Sequence, residues 1–303
     1  MIEIPEAVVE RVAGVVGALA LDNSSVATPE TIAATGFAAR RVATPGATLL
    51  GLSLQAARSA LEGIGASSVR AVVAATFSSE SRFPALSVRL ASALGLAPSV
   101  PAFDLQIACS AYPYALYVAS RLAADLGGRV LVIDGDIQSR LTDAADAATS
   151  PLFSDAATAT VVAPPSHGAT SRFDFLSKAS YALACPAAGP ISMDGFKVFA
   201  FVASDVVRFL RAFGDGFDMF VPHQANMYMV RQLAKNLGLE GKLAVCGPDL
   251  ANPGSCSVPL ALAAHGRAGR ALVCGFGAGL SAAAGIVRLM DGAAAGVEAE
   301  DVP

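Results

Sequence analysis

Charge is scarce in this chain of 303 residues. Asp, Glu, Lys and Arg together make up 15%, and the acids outnumber the bases by 25 to 21. A net charge of −4 and a pI near 5.4 leave no cationic excess with which to neutralise phosphates. That balance argues against a non-specific nucleic-acid binder. Paired cysteines are also missing. The five (Cys109, Cys185, Cys246, Cys256 and Cys274) contain no C-x-x-C and are odd in number. A disulfide framework or a zinc site is therefore not expected, and reduced thiols in the cytoplasm are. No basic segment leads into an apolar one at the start of the chain, so no secretory signal is expected. Long apolar runs are absent too. Stretches such as Ala282–Ala284 are cut by Gly and Ser, and none is long enough to span a bilayer.

What the chain does have is apolar residues, 54% of the total and rich in Ala. That is enough for a large core or two ordinary domains, with surface left for a subunit interface. Residues 8–21 read as a buried first strand. Thr28-Pro29-Glu30 reads as a helix start, with Thr as cap and Pro at the first position. Helical spacing of apolar residues runs from Thr48 to Ile64 and again from Leu86 to Leu94. Val69–Ala75 and Val130–Asp134 read as buried parallel strands. Pro164–Thr170 reads as a linker. Beyond it come a helix over 196–213, a short strand at Met219–Val221 and a helix over 227–237. A turn at Asn252–Ser255 precedes the helical pattern Val258–Ala264. A strand at 271–277 enters a glycine loop, and Gly285–Leu289 is a last strand. Alternating strands and helices predict an α/β fold with parallel sheet. The recurrence of the pattern suggests two similar halves, 1–163 and 171–292. The acidic tail 293–303 is expected to be disordered.

An apolar segment, Phe103–Ala108, runs into Cys109, and a long helical pattern leaves it through Leu116, Leu122 and Leu126. A cysteine at the start of a helix sits in the positive field of its dipole, which favours the nucleophilic thiolate. Spacing alone favours an unreactive buried Cys, which is the commoner case. His223 after Pro222, and Asn252 before Pro253, each read alone as a structural or turn residue.

Together these motifs closely resemble the type III β-ketoacyl-acyl-carrier-protein synthases of the thiolase superfamily, over about residues 12–290. The resemblance rests on Ala108-Cys109-Ser110-Ala111-Tyr112-Pro113-Tyr114, Met193-Asp194-Gly195-Phe196-Lys197-Val198-Phe199 and Val221-Pro222-His223-Gln224-Ala225-Asn226. It rests also on Asn252-Pro253-Gly254-Ser255 and Gly275-Phe276-Gly277-Ala278-Gly279. It implies a thiolase-like fold, two similar halves in a layered αβαβα core with mixed five-stranded sheets. It also implies a chemistry. Cys109 would take an acyl group from a thioester, with its own N–H and that of Ala278 as oxyanion hole. His223 and Asn252 would donate hydrogen bonds to the carbonyl of a malonyl-type thioester as it loses carbon dioxide. The resulting enolate would attack the acyl-cysteine. No cofactor or metal is implied. The partners implied are acyl-CoA, acyl carrier protein and a second copy of the chain in a homodimer, with no nucleic acid or membrane. Phe83 matches a position where one subunit closes the other's acyl pocket, and equally fits an ordinary core or interface residue. Tyr112, Phe153 and Phe201 are further candidates for pocket walls.

Several positions depart from the family pattern. Glu30 and Ala34 stand where it has the tryptophan and arginine that hold coenzyme A. Tyr228 replaces a basic residue. Ser154-Asp155-Ala156-Ala157-Thr158 replaces Gly-Asp-Gly-Ala-Gly. Pro253 follows Asn252 in place of Thr, and Ala278 replaces a glycine. These changes point to a specialised, secondary-metabolism member. They keep two alternatives open: an acyltransferase that uses acyl-Cys109 without decarboxylation, and a non-catalytic partner subunit. His167, His265, the pairs Arg40-Arg41 and Arg208/Arg211, and the cysteines other than Cys109 are read as structural or solvated.

Overall fold

The computed structural model describes residues 1–166 and 168–301. Strand β5 (Val69–Ala75) shows why the first half reads as it does. All of its residues but Arg70 are buried. It runs parallel between β6 (Ala102–Leu105) and β7 (Arg129–Ile137), so both of its faces are covered and alternation gives way to a continuous apolar run. β8 (Asp155–Ala163) lies antiparallel between β7 and β2 (Val8–Val16), completing the order β6-β5-β7-β8-β2. A second group of five follows the order β12 (Met219–Pro222), β13 (Gly269–Gly277), β14 (Gly279–Leu289), β9 (Thr170–Ser180), β1 (Ile2–Pro5). The two groups touch where Arg288 and Leu289 pair with Val8 and Val9.

Helices fill the three layers around these sheets. α4 (Ala111–Leu126) and α8 (Ser257–His265) share one apolar cluster with inward residues of both sheets, such as Val73, Val132, Val221 and Val273. Residues 257–263 of α8 are all buried, so this helix shows no polar stripe in its sequence. α2 (Leu49–Leu61) and α3 (Leu86–Ala93) cover the outer face of the first sheet. α5 (Gly195–Phe201), α6 (Val207–Arg211) and α7 (Met227–Leu237) cover the second. A π-helical segment, Val202–Val206, joins α5 to α6. α1 (Pro29–Thr35) starts on Thr28 and Pro29 as expected. Thr48 caps α2 by accepting from Gly51 N–H at 3.0 Å, and Asn226 caps α7 from Met229 N–H at 2.7 Å.

Three elements depart from the expectation. The first strand ends at Val16. The exposed β3 (Leu19–Asp22) then pairs with β4 (Ala39–Val42) as a separate hairpin. β9 carries Arg172, Asp174 and Lys178 among its apolar residues, which hides its alternation; Ser171 and Phe173 face inward. The tail is ordered in β15 (Ala294–Ala299), contrary to the expected disorder. β2 leaves β14 after Val9, and β15 pairs parallel with Val12–Val16 along the edge that would otherwise be open. Glu300 Oε1 accepts from Thr44 N–H at 2.8 Å, and Gln55 Nε2 donates to the Ala299 carbonyl at 3.0 Å. Truncation after Gly292 is expected to lower the thermal midpoint by about 5 °C, measured by calorimetry. An unchanged midpoint would mean that β15 contributes nothing.

Candidate active site

β6 delivers the chain to a short 3-10 turn, Ala108–Ser110, and α4 begins at Ala111. Cys109 lies in that turn, 5% exposed. Ala108 just before it has φ 55°, and Ala251 just before Asn252 has φ 46°. An alanine in this left-handed region costs on the order of 1 kcal/mol or more, and such strain gathers at functional sites. The backbone N–H groups of Ala278 and of Cys109 itself favour the thiolate form of the Cys109 sulfur. A hydroxyl chain fixes the Ala278 loop: Ser281 Oγ donates to the Ala278 carbonyl at 2.6 Å, and Ser110 Oγ lies 2.7 Å from Ser281 Oγ.

Two glycines of β13 make room for the turn. A Cβ on Gly275 would lie 2.7 Å from the Cys109 carbonyl and from Ser110 Cα; one on Gly277 would lie 2.9 Å from Cys109 Cβ. Burial pushes the Cys109 thiol up to about 11, against the pull of the two N–H groups; Asp136 and Asp134 push it further the same way. The thiolate expected from the helix dipole is therefore not the resting form, because desolvation outweighs the positive helix end.

His223 follows β12, whose Pro222 pairs with Cys274. Its N–H donates to the Cys274 carbonyl at 2.7 Å, and its ring stands edge-on to Phe276 at 5.3 Å. Nδ1 lies 2.8 Å from Ser257 Oγ, which also accepts from Gln224 N–H at 3.1 Å. Burial lowers the His223 pKa to about 4, and the Gly254 carbonyl pulls it weakly the other way. The imidazole is thus neutral at pH 7. The unfolded chain would bind a proton below about pH 6.5, where the folded ring does not, so His223 costs stability as pH falls from about 6.5 toward 4. The loss is on the order of 3 kcal/mol. Denaturant melts of wild type and His223→Gln between pH 7 and 4.5 are expected to diverge by that order. Parallel curves would mean that the ring is accessible to protons.

Asn252 is held by its backbone on both sides: its N–H donates to the Leu152 carbonyl at 2.8 Å and its carbonyl accepts from Ser154 N–H at 3.0 Å. Its side-chain oxygen accepts from Gly254 N–H at 2.9 Å. Nδ2 reaches the Ala225 carbonyl only at 3.5 Å, which leaves the amide donors as the free end of the group.

These groups come together at one end of β13. Gly275 and Gly277 pack on Cys109, while Cys274 and Phe276 pack on His223. Gly254 touches both Asn252 and His223. Cys109 and Ala278 line a cavity of about 1130 Å³ with Phe153, Leu183 and Ile191. Phe153 pairs with Asn252 in an isolated bridge. His223 and Asn252 do not line this cavity.

Other expectations are corrected. Tyr112 is not a pocket wall: it is fully buried among α4 and the sheets, and its hydroxyl lies 3.1 Å from Thr160 Oγ1. Phe201 belongs to the outer cluster under α5. Phe83 is not core, since it is 85% exposed. Cys185 is exposed and lines the cavity, unlike the three buried structural cysteines. Arg40 is not simply solvated, since it donates to Asn23 Oδ1 at 2.7 Å. His265 is the exposed last residue of α8, and His167 lies outside the described residues. The sequence pattern offered no signal for Ser110 and Ser281, because small hydroxyl residues are common beside any strand end. Leu183 and Ile191 escaped because β10 (Leu183–Ala184) and β11 (Ser192–Met193) are only two residues each. Among the described residues no cluster of His, Cys, Asp and Glu could hold a metal, and no helix is long and apolar enough to cross a membrane.

A family model for 3-oxoacyl-[acyl-carrier-protein] synthase III matches residues 103–179, and the model of its C-terminal part matches 214–289. A β-ketoacyl-[acyl-carrier-protein] synthase III of Rhodospirillum rubrum is 35% identical, covering 84% of this chain and 89% of its own length. One from Streptomyces lividans is 34% identical, covering 85% of each. Among solved structures, a 3-oxoacyl-(acyl-carrier protein) synthase from Burkholderia xenovorans aligns with a TM-score of 0.92 at 25% identity, over 98% of each chain. The priming β-ketosynthase of the R1128 polyketide pathway aligns at 0.87 and 30% identity, over 95% of this chain and 98% of that one.

Proposed function

The chain belongs to the 3-oxoacyl-[acyl-carrier-protein] synthase III family, and on that premise we propose that it is a condensing enzyme with Cys109, His223 and Asn252 as its catalytic residues. The observation that carries this reading is the meeting at the end of β13 of a thiol under two backbone N–H groups with a neutral imidazole and an amide.

In the first half-reaction the Cys109 sulfur attacks an acyl thioester. The tetrahedral oxyanion is held by the N–H groups of Cys109 and Ala278. The departing thiol leaves with the proton that Cys109 gives up, so the exchange is proton-neutral and a protonated resting thiol suits it. In the second, a malonyl-type thioester loses carbon dioxide. Its carbonyl oxygen gains charge as the enolate forms, and His223 Nε2–H and the Asn252 amide donate to it. Ser257 Oγ, already accepting from Gln224, directs its own proton to Nδ1 and so keeps the proton of the neutral ring on Nε2. The enolate carbon attacks acyl-Cys109, the thiolate leaves, and it regains a proton from solvent. This chemistry asks for no metal and no resident cofactor.

The acyl donor is an acyl-CoA or acyl carrier protein, and the working form is a homodimer in the cytoplasm. Phe83 supports the dimer: its ring is exposed and directly follows Ser81 and Arg82, which line the cavity, so it offers an apolar surface for a second copy to cover. Glu30, Ala34 and the half-exposed Tyr228 suit a donor thioester held differently from coenzyme A in the family at large.

The test is to load the protein with acyl thioesters, add malonyl carrier protein, and follow carbon dioxide and the β-ketoacyl product. Product with one carbon dioxide per turnover is the expected result. Discharge of acyl-Cys109 only to an alcohol, amine or thiol would make the protein an acyltransferase instead.

A further inference from the structure

The end of strand β7 and the 3-10 turn that follows it carry three buried polar residues that the mechanism above does not use: Asp134 and Asp136 on the strand, and Gln138 just after it. Spaced two apart, the two aspartates project from one face of the strand into the layer between the sheets. Asp136 has an evident duty. Its Oδ1 takes hydrogen bonds from Thr76 Oγ1 (2.9 Å), Phe77 N–H (3.0 Å) and both the N–H and Oγ of Ser78 (3.1 and 2.8 Å), tying down the loop after β5.

Asp134 and Gln138 turn instead to the Asn252–Ser255 segment. Gln138 Nε2 donates to the Asn252 carbonyl at 3.2 Å and to the Ser154 carbonyl at 3.0 Å. Asp134 Oδ1 accepts from Ser255 Oγ. The Asp134 carbonyl takes the Cys256 thiol at 3.0 Å and Thr158 Oγ1 at 3.2 Å. The end of β7 and the residue that follows it thus grip the turn at both ends.

The grip is costly. Asp134 is fully buried, and its Oδ2 has no partner among the described residues. An apolar residue there would avoid the desolvation penalty. The gripped turn is also the strained one. Ala251, at φ 46°, leads into it, and Gly254 within it carries the N–H that orients the Asn252 amide and the carbonyl that meets His223. A segment held in an unfavourable conformation relaxes unless its surroundings over-determine it.

We propose that Asp134 and Gln138 are positioning residues for the decarboxylating half-reaction: from the end of β7 and the turn just after it they clamp the Asn252–Ser255 turn and thereby aim the Asn252 amide. This rests on the condensing reading. It assigns the two residues to the second half-reaction only, because the Cys109 turn and the Ala278 loop are held by other groups. Burial raises the Asp134 pKa well above the usual carboxylate range, which favours its protonated form.

The experiment measures acyl loading of Cys109 by intact mass and carbon dioxide release from a malonyl thioester, for wild type, Asp134→Ala, Asp134→Asn, Ser255→Ala and Gln138→Ala. Misaiming a donor by an ångström costs up to about a hundredfold. Asp134→Ala, Ser255→Ala and Gln138→Ala are therefore expected to slow carbon dioxide release by about ten- to a hundredfold while loading stays close to wild type. Asp134→Asn, which keeps an oxygen for Ser255, should restore release. Ser255→Ala removes only a hydroxyl and carries the same test if Asp134→Ala does not fold. Equal loss of both half-reactions, or an Asp134→Asn variant no better than Asp134→Ala, would overturn the inference while leaving the enzyme reading intact. Wild type that releases no carbon dioxide would overturn the condensing reading first, and the inference with it.

Discussion

Cys109→Ala is expected to take up no acyl group from any thioester donor, and condensation to fall by on the order of 10⁴-fold or more. The same variant still releases carbon dioxide from a malonyl thioester. The two outcomes follow from one geometric fact: the sulfur lies against Gly277 and the Ala278 N–H, whereas His223 and Asn252 are bound into a separate network through Gly254 and Ser257. Alanine removes the nucleophile and leaves both donors of the second half-reaction in place. Intact-protein mass spectrometry reads the first outcome and carbon dioxide capture the second. An acyl adduct on Cys109→Ala would transfer the nucleophile to another thiol, of which Cys185 is the exposed one in the same cavity. Loss of decarboxylation together with acylation would mean that the two networks are not independent.

The resting state of that thiol sharpens the expectation. With Cys109 pushed up to about 11, iodoacetamide should alkylate the free protein slowly at pH 7 and faster as pH rises toward 10, because only the thiolate reacts. A thiol activated by the helix dipole alone would already be reactive near neutrality. This is also where sequence reasoning stopped short. The helix start behind Cys109 was legible from the apolar spacing of α4, and so was its electrostatic sign. The burial that outweighs it depends on Gly275, Gly277 and the second half of the chain folding over the turn.

The same division runs through the rest of the molecule. Elements with continuous apolar runs or clear caps, such as β5, α2 and α7, were readable because local chemistry decides them. β15 was not, because nothing in the acidic tail shows that β2 has an open edge, that Thr44 offers an N–H, or that Gln55 stands ready on α2. Tyr112, a candidate pocket wall, follows Cys109 by three residues. In a helix that spacing places it nearly a full turn on, and α4 sends it into the layer between the sheets. Asp134 read only as the last residue of a buried strand, because the apolar run stops there, whereas β7 continues to Ile137 and its partners lie in the far segment 255–256.

His223→Ala and Asn252→Ala are each expected to lower carbon dioxide release by about 10²- to 10³-fold, the cost of removing one donor from a developing oxyanion, while Cys109 should still accept an acyl group. The argument turns on protonation. A histidine acting as general base would need a pKa near the working pH, and loss of rate below it would trace that pKa. His223, held near 4 by burial, is neutral between pH 6 and 8, so its Nε2–H can donate without first gaining or losing a proton. The decarboxylation rate of wild type is therefore expected to be flat between pH 6 and 8, and His223→Gln, whose amide can also donate, should retain more activity than His223→Ala. A bell-shaped profile with a limb near 6.5 would assign the imidazole to proton transfer. A His223→Gln variant as poor as His223→Ala would show that the ring does more than donate one hydrogen bond. With both results as expected, the division of labour is set by burial: a protonated thiol that exchanges one thioester for another, and two neutral donors that wait for charge to develop on the second.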